Sequence, residues 1–170
     1  MARHQALSYA DVQRQPKQRP QRDVILLLDG VSDQQNLAAV VRLSDALGIH
    51  TIYSSQVIDQ DRKFQRIARM TGANLKIEYA DISKVINQLN ASTTCLALEL
   101  TSQSLPLSQW MTKNNTKSIA LVAGNEQQGV SQSVLNQCQA VHLPTQGQNS
   151  SMNVAQALGM AAYALMYHSA

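Results

Sequence analysis

Short apolar runs alternate with helix-like segments from residue 24 almost to the end of the 170-residue chain. The runs predict strands at 24–28, 50–53, 75–79, 94–98, 118–122 and 140–143. The other segments predict helices at about 34–47, 60–70, 82–90, 131–138 and 152–168, with a turn or short helix at 105–110. Such alternation is typical of a mostly parallel sheet covered by helices on both faces. We therefore expect one α/β domain over 23–170, preceded by an N-terminal arm over 1–22.

Two of these apolar runs lead into segments that bend at glycine beside small polar residues, 122–130 and 143–154. Glycine allows a backbone to approach a ligand closely and to adopt positive φ without steric cost. Open α/β sheets bind small molecules at the carboxyl ends of their strands. The two segments therefore predict a cofactor site.

Several common sites do not fit this sequence. Gly124 and Gly129 have P-loop spacing, but Val130 stands where the phosphate-binding lysine is required, and no GxGxxG fingerprint occurs. The four histidines lack the spacing of metal ligands, and no GxSxG serine is present. We expect neither a nucleoside triphosphate site, a nicotinamide site nor a metal site, and hydrolase chemistry has little support.

The positive charge is concentrated in two places. The formal net charge is +3, and residues 1–22 carry five basic residues against one acid. Arg62, Arg66 and Arg69 follow a spacing that places them on one face of a helix, with Phe64, Ile67 and Ala68 on the opposite, core-facing side. Either group could be only a solvated surface. Together they favour a phosphate-rich partner, and the arginine face is a candidate RNA-binding surface.

The last predicted helix is apolar on more than one side. Val154, Leu158, Ala161 and Leu165 form one stripe, and other apolar side chains surround it. Such a helix is buried in the core, in a dimer interface, or in both. The chain contains no apolar run near the ~20 residues of a membrane span. Cys95 and Cys138 suggest no disulfide framework, so we expect a cytoplasmic protein without membrane association.

Three segments in order carry a family resemblance. Residues 28–48 place an asparagine at a helix start (Asn36), an arginine six residues later (Arg42) and a glycine at the helix end (Gly48). This segment resembles the first motif of the SpoU (TrmH-type) branch of the SPOUT RNA methyltransferases. Residues 122–130 resemble the second motif. Residues 143–154 resemble the third, with Ser151-Met152-Asn153 at the family's Ser-Leu-Asn.

The resemblance covers about residues 24–168 and implies both a fold and an activity. The implied fold is a single-domain parallel-sheet SPOUT fold whose C-terminal part forms a deep trefoil knot, although chains generally avoid knots. It also implies a homodimer through the C-terminal helix region and S-adenosylmethionine (AdoMet) bound in the knot. The implied reaction is methylation of a ribose 2′-hydroxyl of tRNA or rRNA. By matching position, the cofactor-lining residues would be Leu98, Gly124, Leu143 and Met152.

The resemblance also implies the catalytic residues Arg42, Asn36, Glu126, Ser151 and Asn153. Arg42 would clamp an RNA phosphate beside the reacting ribose, or would assist deprotonation of the hydroxyl. Asn36 would orient Arg42 or the ribose, or would be a helix N-cap. Glu126 would hold an arginine or the target nucleotide, or would be a solvated loop carboxylate. Ser151 and Asn153 would bind the ribose, organise the cofactor loop, or cap the last helix.

Two other functions are compatible with the same resemblance. One is a related SPOUT methyltransferase that modifies a base, which the Asn36 and Arg42 spacing argues against. The other is an RNA-binding or assembly factor that keeps the knotted fold without catalysis.

Overall fold

Seven strands form one sheet in a computed structural model that describes residues 6, 8–14, 19–58, 62–68, 75–89, 91–147 and 151–167. All recorded strand pairs are parallel, and the order is β3-β2-β1-β6-β4-β7-β5. The strands are β1 Asp23–Asp29, β2 Thr51–Ser54, β3 Lys76–Tyr79, β4 Thr93–Leu98, β5 Leu105–Pro106, β6 Ser118–Gly124 and β7 Gln139–His142. The predicted parallel sheet is confirmed.

Seven helices accompany the sheet within the described residues. They are α1 Tyr9–Arg14, α2 Gln34–Leu47, α3 Arg62–Ala68, α4 Ile82–Gln88, α5 Leu107–Lys113, α6 Gln132–Leu135 and α7 Val154–Tyr167. The five predicted helices are present. Helix α1 was not predicted, and the turn or short helix predicted at 105–110 is a two-residue strand followed by α5.

Alternation along β1 explains why both faces of the sheet are covered. Leu26 and Leu28 are fully buried in one hydrophobic cluster, and Leu27 is fully buried in a second. The first cluster contains residues of α2, α3, α5 and α7, and the second contains residues of α4 and α6. Because successive side chains of a strand point to opposite faces, the two clusters are the two layers that sandwich the sheet.

Helix α2 begins and ends at two capping residues, Asp33 and Gly48. The Asp33 side chain accepts a hydrogen bond from the backbone N–H of Asn36 at 2.8 Å, and Gly48 ends the helix with φ +74°. Asp33 is therefore the N-cap, so the alternative that Asn36 is the N-cap is wrong. The side chain of Asn36 is thereby available for other contacts.

The sheet order places the last strand between two strands that precede it in the chain. β7 pairs with β4 on one side and with β5 on the other. The connection from β7 to α7 includes residues 148–150, which lie outside the described residues. The deep trefoil knot, which involves this part of the chain, stays a prediction.

The end of the predicted arm is built into the domain. Arg22 is 3% exposed, and its guanidinium donates hydrogen bonds to the carbonyl oxygens of Leu165 at 3.1 Å and Asn114 at 3.3 Å. A cation at the last turn of α7 is also favoured by the helix dipole. Arg22 therefore anchors the arm to α7, whereas Arg14 and Arg19 are exposed.

Two further findings concern membrane-spanning helices and the cysteines. No described helix has both the length and the apolar character required to cross a membrane. Cys95 and Cys138 are free thiols.

Candidate functional site

A cavity of about 730 Å³ lies where β4, β6 and β7 end. Its lining includes Leu98, Gly124, Leu143 and Met152, the four residues assigned to the cofactor from the sequence. These residues come from three strand ends and from the segment before α7. The carboxyl ends of parallel strands meet at one edge of the sheet, which brings them together.

The loop after β6 explains why position 124 is glycine. Asn125 and Gly129 exchange two backbone hydrogen bonds, at 3.0 Å and 2.9 Å, so residues 125–129 close into a tight turn. A Cβ atom on Gly124 would collide with the backbone of Gly129 and Val130. Gly129 itself has φ +70°, a conformation that L side chains rarely adopt. The backbone conformation of the second motif therefore requires glycine at positions 124 and 129.

Asn125, which the sequence argument did not single out, fixes this loop to the loop after β1. Its side-chain amide donates to the carbonyl oxygen of Gly30 at 2.8 Å. Its side-chain oxygen accepts from the backbone N–H groups of Gln127 at 2.9 Å and Gln128 at 3.1 Å. The first and second motifs are therefore locked together before any ligand binds.

Three of the predicted catalytic residues form a continuous hydrogen-bonded chain. Asn153 donates from Nδ2 to Oδ1 of Asn36 at 2.8 Å. Asn36 donates in turn from Nδ2 to Oε1 of Glu126 at 2.9 Å. We call Asn153, Asn36 and Glu126 the relay, and it joins the third, first and second motifs in that order.

The direction of the relay is set at both of its ends. Oδ1 of Asn153 accepts from the backbone N–H groups of Ala155 at 3.0 Å and Gln156 at 3.2 Å, so its amide nitrogen must face Asn36. A carboxylate at Glu126 accepts only, so the amide nitrogen of Asn36 must face it. Asn153 thus caps α7 and also belongs to the site, as the sequence had allowed.

Glu126 is the ionised end of the relay. Burial alone would raise the pKa of this carboxyl, but hydrogen bonds outweigh it and hold the pKa below its usual range. The donors are Asn36 and backbone N–H groups that include those of Ser32 at 3.4 Å and Asp33 at 3.3 Å. Glu126 is therefore a carboxylate at neutral pH.

A second, smaller cavity of about 500 Å³ adjoins the first. Asn125, Glu126 and Gln127 line both cavities, whereas Asn36 lines only the smaller one. The relay therefore runs along the boundary between the two spaces. A molecule in the large cavity and another in the small cavity would meet at Glu126.

Of the two remaining predicted catalytic residues, Ser151 lies at the site and Arg42 does not. Ser151 lines the large cavity. Arg42 is exposed on α2 and is absent from the described residues that line either cavity. Arg42 follows Asn36 by six positions, which is about 9 Å along a helix. The structure does not place it at the relay of its own chain.

The predicted arginine face on α3 is described in part. Arg62 and Arg66 are exposed, and Phe64 and Ala68 are buried, as the helical spacing predicts. Arg69 lies outside the described residues.

Glu99 is a lining residue that sequence reasoning missed. It follows the last residue of β4, is half-buried, and lines the large cavity. Its Oε2 accepts from the backbone N–H of Val130 at 2.9 Å. An acid directly after an apolar strand was the available signal, since strand ends are where α/β sheets place site residues. As to metals, the described part of the chain holds no group of three or more His, Cys, Asp or Glu residues able to bind an ion.

Comparisons with known proteins bear on this geometry. A family model described as the SpoU rRNA Methylase family matches residues 23–163. The tRNA (guanosine(18)-2′-O)-methyltransferase of Aquifex aeolicus is 28% identical over 154 residues, which cover 88% of this chain and 72% of that protein. The 23S rRNA (guanosine-2′-O-)-methyltransferase RlmB of Blochmanniella floridana is 30% identical over 148 residues, covering 81% of this chain. The chain spans only 54% of the length of that RlmB.

A solved structure is also similar. The crystal structure of the Aquifex aeolicus TrmH/SpoU tRNA modifying enzyme superposes with a TM-score of 0.70 at 27% identity, over 85% of this chain and 75% of that one.

Proposed function

The chain belongs to the SpoU rRNA Methylase family, and we propose that it transfers a methyl group from AdoMet to a ribose 2′-hydroxyl of tRNA or rRNA. The observation that carries the proposal is the relay, which joins all three motifs between two adjoining cavities. Relatives named as tRNA and 23S rRNA 2′-O-methyltransferases support the reaction class. We place the activity in the cytoplasm, where these RNAs occur.

The large cavity suits AdoMet as the cofactor. About 730 Å³ falls within the ~300–1,000 Å³ typical of small-molecule sites. Leu98, Leu143 and Met152 supply apolar walls for an adenine. The absence of a side chain at Gly124 keeps the turn after β6 tight against this space. When bound, AdoMet supplies an electrophilic methyl group on a positively charged sulfur.

The side chains around the boundary would hold the ribose in position. Because the pKa of Glu126 is lowered, this carboxylate is better suited to accept a hydrogen bond than to remove a proton. Asn36 and Asn153 keep it aimed, and the Ser151 hydroxyl can bind the ribose from the cavity side. Holding the 2′-oxygen in line with the methyl group supplies much of the rate in such a displacement.

Arg42 would carry the electrostatic part of the reaction. An arginine guanidinium offers only N–H donors and no acceptor atom, so it is a poor base, but its forked donors match an RNA phosphate. A cation next to the ribose offsets the negative charge that develops on the 2′-oxygen. Because Arg42 lies apart from the cavities of its own chain, we propose that it serves the site of the partner in a homodimer.

A homodimer through α7 has support in exposed apolar side chains. On this helix Met160 is 55% exposed and Tyr163 is 51% exposed, while Leu158 and Leu165 are buried in the core. Helix α7 also packs on α2, the helix that carries Arg42. A second copy that covers this surface would bury the exposed side chains and bring Arg42 towards another site.

We expect the double variant Met160→Glu and Tyr163→Glu to be monomeric, because the new charges would have to be desolvated in the interface. Sedimentation equilibrium would show half the mass of the wild-type particle. A matched control is Tyr79→Glu, which changes a 71% exposed tyrosine on the edge strand and should leave the mass unchanged. A wild-type monomer would contradict the dimer.

We propose that RNA binds across the arginine face on α3, where Arg62 and Arg66 are exposed, together with the basic arm. Replacing both arginines with glutamine removes two phosphate contacts and should flatten the plot of log affinity against log salt concentration. The expected change in slope is about 1.4 to 1.8. An unchanged slope in filter binding would exclude this face from RNA recognition, and AdoMet affinity serves as the control readout.

The activity itself is tested by radiolabel transfer. Total RNA from a strain that lacks the gene should accept label from methyl-labelled AdoMet when the protein is added. RNA from the parent strain, already methylated at the target, is the matched control and should accept little. Label in neither RNA would favour an assembly factor without catalysis.

A further inference from the structure

We propose that Glu99 makes the large cavity selective for a positively charged ligand, so that AdoMet binds more tightly than its neutral product, S-adenosylhomocysteine. This inference rests on the proposed function. It concerns charge recognition within the cofactor site by a residue that the three motifs do not contain.

The lining of the large cavity is acidic. Two acidic residues, Glu99 and Glu126, line it, and the described lining includes neither lysine nor arginine. The lining histidine, His142, is bound through Nδ1 to the hydroxyl of Ser104 at 2.9 Å. An anionic, partly enclosed space attracts a cation more strongly than the same charges in open water.

Glu126 and Glu99 differ in their hydrogen-bond partners and in the cavities that they line. Glu126 is engaged by Asn36 and by the backbone of Ser32 and Asp33, on the side shared with the smaller cavity. Glu99 lines only the large cavity. Glu99 is therefore the charge that a ligand of the large cavity meets without involving the relay.

Backbone hydrogen bonds hold the side chain of Glu99 in a fixed position. Its Oε1 accepts from the backbone N–H of Leu100 at 3.0 Å, and its Oε2 accepts from Val130 at 2.9 Å. Its own backbone N–H donates to the carbonyl oxygen of Val141 at 2.9 Å. Each carboxylate oxygen has a second lone-pair direction for a ligand. A group fixed before binding costs little to reorganise when the ligand arrives.

Gly129 leaves room for this carboxylate. A Cβ atom at position 129 would collide with Oε2 of Glu99. The positive φ of Gly129 and the position of the acid are therefore two parts of one arrangement, which joins the end of β4 to the turn after β6.

Charge selectivity has a consequence for turnover. Transfer of the methyl group from sulfur to the 2′-oxygen, whose proton would pass to water, would turn the sulfonium into an uncharged sulfide, so the ligand would lose one positive charge. The attraction of Glu99 for that centre then falls, which favours release of the product. The carboxylate thus assists binding of the cofactor and reduces inhibition by the product.

Isothermal titration of the 170-residue protein tests this directly. The ligands are AdoMet, S-adenosylhomocysteine and sinefungin, in which an amine replaces the methylsulfonium and keeps a positive charge. We expect wild type to prefer both cations over S-adenosylhomocysteine by about tenfold. Glu99→Gln should reduce that preference to about twofold or less, with little change for S-adenosylhomocysteine. Glu99→Asp keeps the charge and should retain part of the preference.

The controls separate charge from loop support. Glu99→Gln also disturbs the hydrogen bonds to Val130 and Leu100, and a purely structural role would weaken all three ligands equally. That result, or an unchanged ratio, would overturn the proposal. Glu78→Gln, which removes an acid on β3, should preserve the ratio. A wild-type protein that binds none of the ligands would instead overturn the AdoMet assignment, and this inference with it.

Discussion

Replacement of Arg42 by alanine is expected to lower the rate of methyl transfer by roughly 10²- to 10³-fold while AdoMet affinity stays within about twofold. The reason is that Arg42 stands outside the cavity that suits the cofactor, yet its fixed charge is the one suited to the developing oxyanion and the neighbouring phosphate. Single-turnover transfer to RNA measures the first quantity, and titration with AdoMet measures the second.

A charge-matched control distinguishes this role from a general effect. Lys84→Ala removes an exposed cation from α4, on the opposite face of the sheet, and should leave both quantities unchanged. Equal loss of transfer and of AdoMet affinity in Arg42→Ala would mean that Arg42 supports the fold or the cofactor.

Replacement of Gly124 by alanine is expected to weaken AdoMet binding by at least about 100-fold. A Cβ atom there would collide with the backbone of Gly129 and Val130, which cannot rotate away as a side chain can. Overpacking of this kind costs about 1–3 kcal/mol or more, and here the displaced backbone is the wall of the cavity. Titration with AdoMet, with circular dichroism to follow the fold, is the measurement.

The variant Gly48→Ala is the control for Gly124→Ala. A Cβ atom at Gly48 would meet no atom within 4 Å, although its φ of +74° makes alanine strained there. Gly48→Ala should therefore lose about 1 kcal/mol of stability and keep AdoMet affinity. Wild-type affinity in Gly124→Ala would show that the turn after β6 does not shape the cofactor site.

The two impaired variants, Arg42→Ala and Gly124→Ala, also test whether Arg42 acts across the dimer. In a mixed dimer of Arg42→Ala and Gly124→Ala, one chain retains an intact cavity and the other retains Arg42. If Arg42 serves the partner's site, the mixed dimer should recover activity at one of its two sites. If Arg42 serves its own site, mixing should restore nothing.

Local signals explain the parts of the fold that the sequence predicted well. The bounds of α2 match because Asp33 and Gly48 are cap signals that act within a few residues. Strand β5 was not predicted because two residues are too few to show the alternation of apolar and polar side chains that is typical of a strand. Its formation depends on its pairing with β7. The helix α1 lies in a segment whose polar composition gave no helical signal.

The parts that could not be predicted depend on partners distant along the chain. The relay joins Asn36 to residues 90 and 117 positions away, so the sequence could name its members but not their contacts. Arg22 was assigned to the basic arm from the sequence, because the carbonyl oxygens that accept its hydrogen bonds, those of Leu165 and Asn114, are brought close to it only by folding. For Glu99, the place directly after an apolar strand was a local signal that was overlooked, whereas its contact with Val130, 31 positions away, could not be predicted.

The chemical position of the transferred methyl group is the most direct test of the proposed activity. RNA from a strain lacking the gene would be methylated with the purified protein, digested to nucleosides and analysed by mass spectrometry. We predict one 2′-O-methylated nucleoside whose fragmentation places the added mass on the ribose. Added mass on a base would contradict the ribose methyltransferase and identify a base-modifying enzyme of the same fold.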